Sequence, residues 1–180
     1  ELARVMSQYE FDKTLVFIAF SAEEIGLEGS KTYAALAKKN GMQLEAVLNN
    51  DIIGSEVSGN GRSSGATLRV FADGPEDSPA RALLRYTKLL AERYVPSMKV
   101  DMIFHRDRFN RGGDHTSFSA QGYAAVRLTT PNENYENQHT ATDTFAGVST
   151  SYTTRATRMN AAVLASLALA PVPPEVNDTY

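Results

Sequence analysis

The sequence contains no cysteine. That excludes disulfide cross-links and thiolate metal ligands alike, so any metal site has to be built from His, Asp and Glu. Histidine is scarce as well, with three in 180 residues. Neither sign of charge dominates: 18 basic residues, spread along the chain, stand against 21 acidic ones, for a net charge of −3. No nucleic-acid partner or anionic surface is therefore expected. The longest apolar stretches, LVFIAF and AAVLASLALA, fall well short of the roughly 20 residues that span a bilayer, so no membrane partner is expected either. There is no initiator Met and no signal-peptide pattern, and the chain opens at ELARVMSQY as if inside a helix. An N-terminal part of the domain is thus expected to lie outside this sequence. Compartment is not legible from these absences.

The residues that are present describe an ordinary globular chain, 42% hydrophobic and 22% charged. Strand-like and helix-like segments alternate, which predicts an α/β domain with a mostly parallel central sheet and helices on both faces. Strands are expected at Thr14–Phe20, Leu44–Asn49, Thr67–Phe71, Lys99–Phe104 and Ala124–Thr129. The first, apolar throughout, reads as a central strand buried on both sides. Helices are expected at about Ser30–Asn40, Ser78–Tyr94, Thr116–Ala120 and Thr150–Ala170. Residues 1–171 read as one domain portion, and 172–180 as a Pro-rich tail. The stretches SEVSGNGRSSG and RDRFNRGGD read as loops.

Open α/β sheets place ligands at the carboxyl ends of their strands. Glu23 and Glu24 follow directly after the segment Thr14–Phe20, and Asp51 follows the strand ending at Asn49. A third polar cluster, NENYENQHTATD, comes after the last strand and brings His139. One reading of SAEE is structural, because Ser21 and Glu24 have the spacing of a capping box. Gly26 and Gly29 weaken it, since each costs about 1 kcal/mol inside a helix, and a helix beginning nearer Ser30 leaves SAEEIGLEG as a structured turn. The other reading is chemical. Glu, Asp and His form a donor set that suits zinc, and a spare carboxylate can serve as a base.

Four ordered stretches, FSAEEIGLEGS, LNNDIIG, GGDHTSF and QHTATDT, resemble the successive signatures of the zinc-dependent aminopeptidases, the dinuclear exopeptidases related to glutaminyl cyclases. The resemblance runs from about Thr14 to Leu169. It implies hydrolysis of N-terminal residues from peptide substrates with two zinc ions in the complete domain. Glu23 is then the general base, and Glu24, Asp51 and His139 are zinc ligands. The family's first His and bridging Asp have no counterpart here. The metal sites are therefore expected to be completed by an N-terminal segment of the same domain, and this chain alone is expected to bind zinc weakly and turn over nothing. The family's usual Tyr before the last His is replaced by Gln138, leaving Tyr135 as the nearest tyrosine. Gly113 stands where relatives have Ser.

Three further assignments stay open at this point. Asp114 is either near the substrate pocket, like its counterpart in the cyclases, or the N-cap of the following short helix. Asp143 is either an outer partner that orients a ligand or a turn residue. Arg108 and Arg111 either line the pocket or are solvated loop charge. Two competing functions accompany the aminopeptidase reading: glutaminyl-peptide cyclotransferase on the same scaffold, and an inactive binding relative. The intact Glu23, Glu24, Asp51 and His139 argue against the last. Export to the periplasm or outside the cell is what bacterial relatives suggest, and no residue of this chain decides it.

Overall fold

All five residues of the strand Ala125–Thr129 are buried, as a strand covered on both faces requires. The computed structural model of the protein describes residues 1–108 and 111–171; the tail expected over 172–180 and two residues of the RDRFNRGGD loop lie outside the described residues. Among those described, the strands are β1 (Val47–Asn50), β2 (Thr67–Phe71), β3 (Lys99–Ile103) and β4 (Ala125–Thr129), in the spatial order β1-β4-β2-β3. β1 runs parallel to β4 and β2 parallel to β3, while β2 and β4 are antiparallel, so the sheet is mixed with parallel pairs in the majority. The helices are α1 (Leu2–Met6), α2 (Glu28–Lys39), α3 (Pro79–Tyr94), α4 (His115–Ala120) and α5 (Thr150–Ala168).

Side chains alternate across a strand, and that alternation divides the molecule into two layers. Val126 and Leu128 of β4 join Leu68 and Val70 of β2 in a core with Leu84 of α3 and Tyr152, Ala156 and Met159 of α5. Burying each Leu, Val or Met there stabilises the fold by about 1.5–3 kcal/mol relative to exposure. Ala125 points the other way and packs with Ala34 of α2 and Phe118 of α4. Helices thus cover both faces. The two long helices on the first face start where their sequence allows. Ser78 caps α3 by accepting from the Arg81 N–H with Pro79 at the first helical position, and Ser149 caps α5 by accepting from the Tyr152 N–H.

The largest departure from expectation is Thr14–Phe20, which is not a strand. It runs as irregular chain, and none of its backbone groups joins a backbone hydrogen bond among the described residues. Val16, Phe17 and Ile18 are 58%, 45% and 42% exposed. The physical reason is that a strand needs a neighbouring backbone, and here a cleft of about 1210 Å³ separates this segment from β1. Residues Gln43 to Asn50 line its far wall, and Leu164 and Leu167 of α5 contribute to its lining. Among the described residues β1 pairs only with β4, so its outer edge also faces the cleft unpaired.

Candidate functional site

The turn that carries Glu23 and Glu24 is tightly built. The Glu23 carbonyl accepts from the N–H groups of Gly26 and Leu27, the Glu28 N–H donates to Ala22, and the Gly29 N–H donates to Ser21. SAEEIGLEG is therefore a structured turn, but α2 begins at Glu28 rather than Ser30, and the capping box is not formed: Leu27 holds the N-cap position with no side-chain cap. Gly29 is tolerated in the first turn because a Cβ there would lie 2.6 Å from the Ser21 carbonyl oxygen. The glycine serves close backbone approach rather than helix termination.

Backbone strain concentrates around the same residues. Four non-glycine residues among those described occupy the left-handed region: Ala22 (φ 61), Leu27 (φ 61), Ile52 (φ 59) and His139 (φ 60). Ala22 precedes Glu23, Ile52 follows Asp51, and His139 is itself a candidate ligand. Such conformations cost of order 1–3 kcal/mol each and persist where surrounding contacts over-determine them. Around Asp51 the contacts are visible, since its N–H donates to Leu128 at 3.0 Å and the Ile52 carbonyl accepts from Thr130 at 2.9 Å. These bonds hold Asp51 at the carboxyl end of β1, as the sheet geometry anticipates.

The structure brings His139 to Glu24, with Nε2 and Oε1 2.7 Å apart. Both are exposed on the surface. Glu23 is half-buried, and its pKa is raised, first by burial and then by the negative charges of Asp51, Glu24 and Asp114, with Arg127 opposing them. Those four carboxylates thus share one electrostatic neighbourhood. Asp114 occupies the N-cap position of α4 without capping it, and its Oδ1 is buried with no hydrogen-bond partner. Tyr135 is exposed, and its hydroxyl accepts from Arg108 Nη1 at 2.9 Å. Asp143 lies in the exposed turn after His139, where its N–H donates to Thr140; no hydrogen bond joins its carboxylate to His139 among the described residues. Asn50 exchanges paired amide hydrogen bonds with Asn160 of α5, at 2.9 and 2.8 Å, which anchors the end of β1.

No three His, Asp or Glu side chains among the described residues come close enough together to hold a metal ion. The donor types fit zinc, an imidazole nitrogen beside carboxylate oxygens, but the set is partial: Glu24 with His139 on one side, Asp51 on the other. Unpartnered polar atoms also gather around Gly113. An added Cβ there would meet Asp51 Oδ2, Asn49 Nδ2 and His115 Nδ1 at 3.1, 3.2 and 3.4 Å. The last two atoms are buried without hydrogen-bond partners. Burial lowers the pKa of His115, and its Nε2 contacts the Arg106 carbonyl oxygen at 2.8 Å, so Nε2 carries the proton and Nδ1 is a free acceptor.

Sequence reasoning missed Arg127, which is 1% exposed in the middle of β4. Its Nη2 lies 3.0 Å from Asp51 Oδ2, and its Nη1 donates to the Gly112 carbonyl at 2.8 Å and pairs with Asp107. Burial lowers its pKa, while Asp51 and Glu23 favour the charged form. The signal was an arginine inside an otherwise apolar strand, AAVRLTT, a place where an uncompensated charge is costly and a paired one is informative.

Residues 1–164 match the sequence family described as Peptidase family M28. A probable zinc metalloprotease of Pyrenophora tritici-repentis is 38% identical over 97% of this chain and 42% of its own length. One from Leptosphaeria maculans is 37% identical over 95% of this chain and 46% of its own. The chain thus spans less than half the length of these relatives. Among solved structures, LapB from Legionella pneumophila superposes with a TM-score of 0.79 at 23% identity, covering 94% of this chain and 44% of that one. An aminopeptidase from Aneurinibacillus sp. strain AM-1 gives 0.73 at 24% identity, covering 98% and 39%. These likenesses show the fold.

Proposed function

The chain belongs to peptidase family M28, and from that premise we propose that it supplies the catalytic base and part of the zinc-binding set of an aminopeptidase. The observation that carries this reading is the contact of His139 with Glu24 at 2.7 Å, next to a Glu23 whose pKa is raised. Glu24 and His139 would hold one zinc ion, and Asp51 would help hold a second. Zinc bound there would act as a Lewis acid toward a peptide carbonyl and make a water molecule more acidic. Glu23 would take a proton from the attacking water as the water oxygen forms a bond to the carbonyl carbon. The same proton then goes to the departing amine as the C–N bond breaks, so Glu23 ends unprotonated. A pKa raised by burial and neighbouring carboxylates suits a group that must both accept and return a proton.

The remaining ligands come, on this reading, from another segment of the same domain. The cleft between Thr14–Phe20 and β1 supports this, because its two walls are unpaired backbone edges flanked by apolar side chains. An extended, apolar stretch of chain laid there would pair with both and turn Thr14–Phe20 into the internal strand that its composition describes. The chain by itself is then expected to bind zinc weakly and to hydrolyse nothing.

The alternative is cyclisation of N-terminal glutamine, which the same carboxylates could serve. Assaying the intact protein with leucine p-nitroanilide and with a glutaminyl peptide separates the two. Cleavage of the first, lost on chelation and regained with zinc, supports the aminopeptidase. Pyroglutamate formation without cleavage would replace it with the cyclase, and activity unaffected by chelation would refute both.

A further inference from the structure

Arg127 belongs to a chain of charges, buried at Arg127, Asp107 and Glu133 and partly exposed at Asp51, Arg108 and Arg111, that the hydrolytic scheme does not otherwise use. Beyond its contact with Asp51, it pairs with Asp107, whose side chain is 0% exposed. Asp107 Oδ1 accepts from Arg108 Nε at 3.0 Å and from the Arg108 backbone N–H at 2.6 Å. Arg108 in turn pairs with Glu133, whose side chain is 1% exposed. Arg111 Nη2 lies 3.5 Å from Glu133 Oε2. In the order Asp51, Arg127, Asp107, Arg108, Glu133, Arg111 the signs alternate and cancel. Glu133 also accepts from Gln138 Nε2 at 3.3 Å, and Gln138 immediately precedes His139. The ladder therefore starts at Asp51 and reaches the His139 loop from Glu133 through Gln138.

Buried ion pairs add little net stability compared with well-packed apolar groups, because desolvation offsets the Coulomb gain. What a planar guanidinium adds is geometry, since its fork fixes several acceptors at once. Arg127 grips Asp51 Oδ2, Asp107 and the Gly112 carbonyl together, so the Asp51 carboxylate has one of its oxygens held. A lysine could satisfy one of these partners at a time.

We infer that Arg127 is a positioning residue for Asp51, and that the ladder from Asp51 to Gln138 sets the Asp51 and His139 positions as one unit. This rests on the reading of both residues as zinc ligands. It predicts that metal affinity responds to changes that touch no ligand. Outer partners that orient ligands typically change metal affinity by 10- to 100-fold.

The test is cobalt(II) titration of the intact protein, read by affinity and by the visible spectrum, which reports coordination geometry. Arg127→Lys keeps the charge and loses the fork; it is expected to weaken binding by about 10- to 100-fold and to alter the spectrum. Gln138→Ala, at the partly exposed end of the ladder, is expected to weaken binding severalfold with unchanged thermal stability. The double variant is expected to lose less than the product of the two single effects. Unchanged affinity and spectrum in folded Arg127→Lys would overturn the role of Arg127. Unchanged affinity and spectrum in Gln138→Ala would overturn the coupling, whether or not the lysine variant folds. If the wild type binds no cobalt, or Asp51→Asn binds it as the wild type does, the zinc reading itself fails instead.

Discussion

Glu23 and Glu24 are neighbours in sequence with different surroundings. Glu24 is exposed and meets His139, whereas Glu23 is half-buried among Asp51, Glu24 and Asp114. Glu23→Gln is expected to lower kcat/KM by about 10²- to 10⁴-fold, the usual worth of a positioned acid–base group, while zinc stoichiometry is retained. A variant with normal turnover would remove Glu23 from the mechanism. Residue by residue, the candidate site was legible where chemistry sits next to a structural boundary. Glu23, Glu24 and Asp51 follow apolar runs, and His139 lies in a polar cluster that has no core role. Asp107, Arg127 and Glu133 were not legible, because a lone charge in a sequence is by default solvated. Their significance comes from pairing across segments 20 residues or so apart, which only tertiary packing creates. The same holds for Gly113, whose closeness to Asp51 follows from the loop path rather than from local spacing.

At the scale of elements, four of the five expected strands form within a few residues of their expected limits, because their apolar runs find paired neighbours. Thr14–Phe20 has the strongest apolar pattern of all and forms no strand, since pattern alone supplies no hydrogen-bond partner. The turn into α2 gives a direct test of how position is set. Gly29→Ala would drive a Cβ against the Ser21 carbonyl at 2.6 Å. It is expected to destabilise the protein by about 1–3 kcal/mol in urea unfolding, despite alanine's better helix propensity. Stabilisation by that substitution would show that the turn is free to move. The α5–β2 contact has its own pH signature. The Tyr152 hydroxyl is buried and donates to Thr67 at 2.8 Å, and burial pushes its pKa up to about 12 from 10.0. The raised folded-state value means that its contribution is complete below pH 10 and is lost as pH rises toward 12, a difference of about 2–3 kcal/mol. Tyr152→Phe should cost about 1 kcal/mol at neutral pH and flatten that alkaline loss. An alkaline limb identical to the wild type would contradict the assignment.

On the scale of the whole molecule, the mixed sheet and its two helical layers leave a one-sided cleft, which is where the proposed further segment would lie. The chain covers 42% of the length of the Pyrenophora tritici-repentis relative, and the cleft of about 1210 Å³ lies between two backbone edges that want partners. Hydrogen exchange compares the states directly. Amides of residues 14–20 are expected to exchange quickly in this chain alone and to be protected in the intact protein, where the proposed further segment would pair with them. Equal, fast exchange in both would remove the cleft as the seat of a further strand.

The central claim is that Glu24, Asp51 and His139 are zinc ligands gathered from three separate segments. It is tested most directly by zinc titration of the intact protein against a competing chromophoric chelator, wild type beside Glu24→Gln, Asp51→Asn and His139→Ala. Each substitution is expected to abolish or sharply weaken binding of at least one zinc ion while the fold persists. Wild-type zinc affinity and stoichiometry in all three folded variants would contradict it.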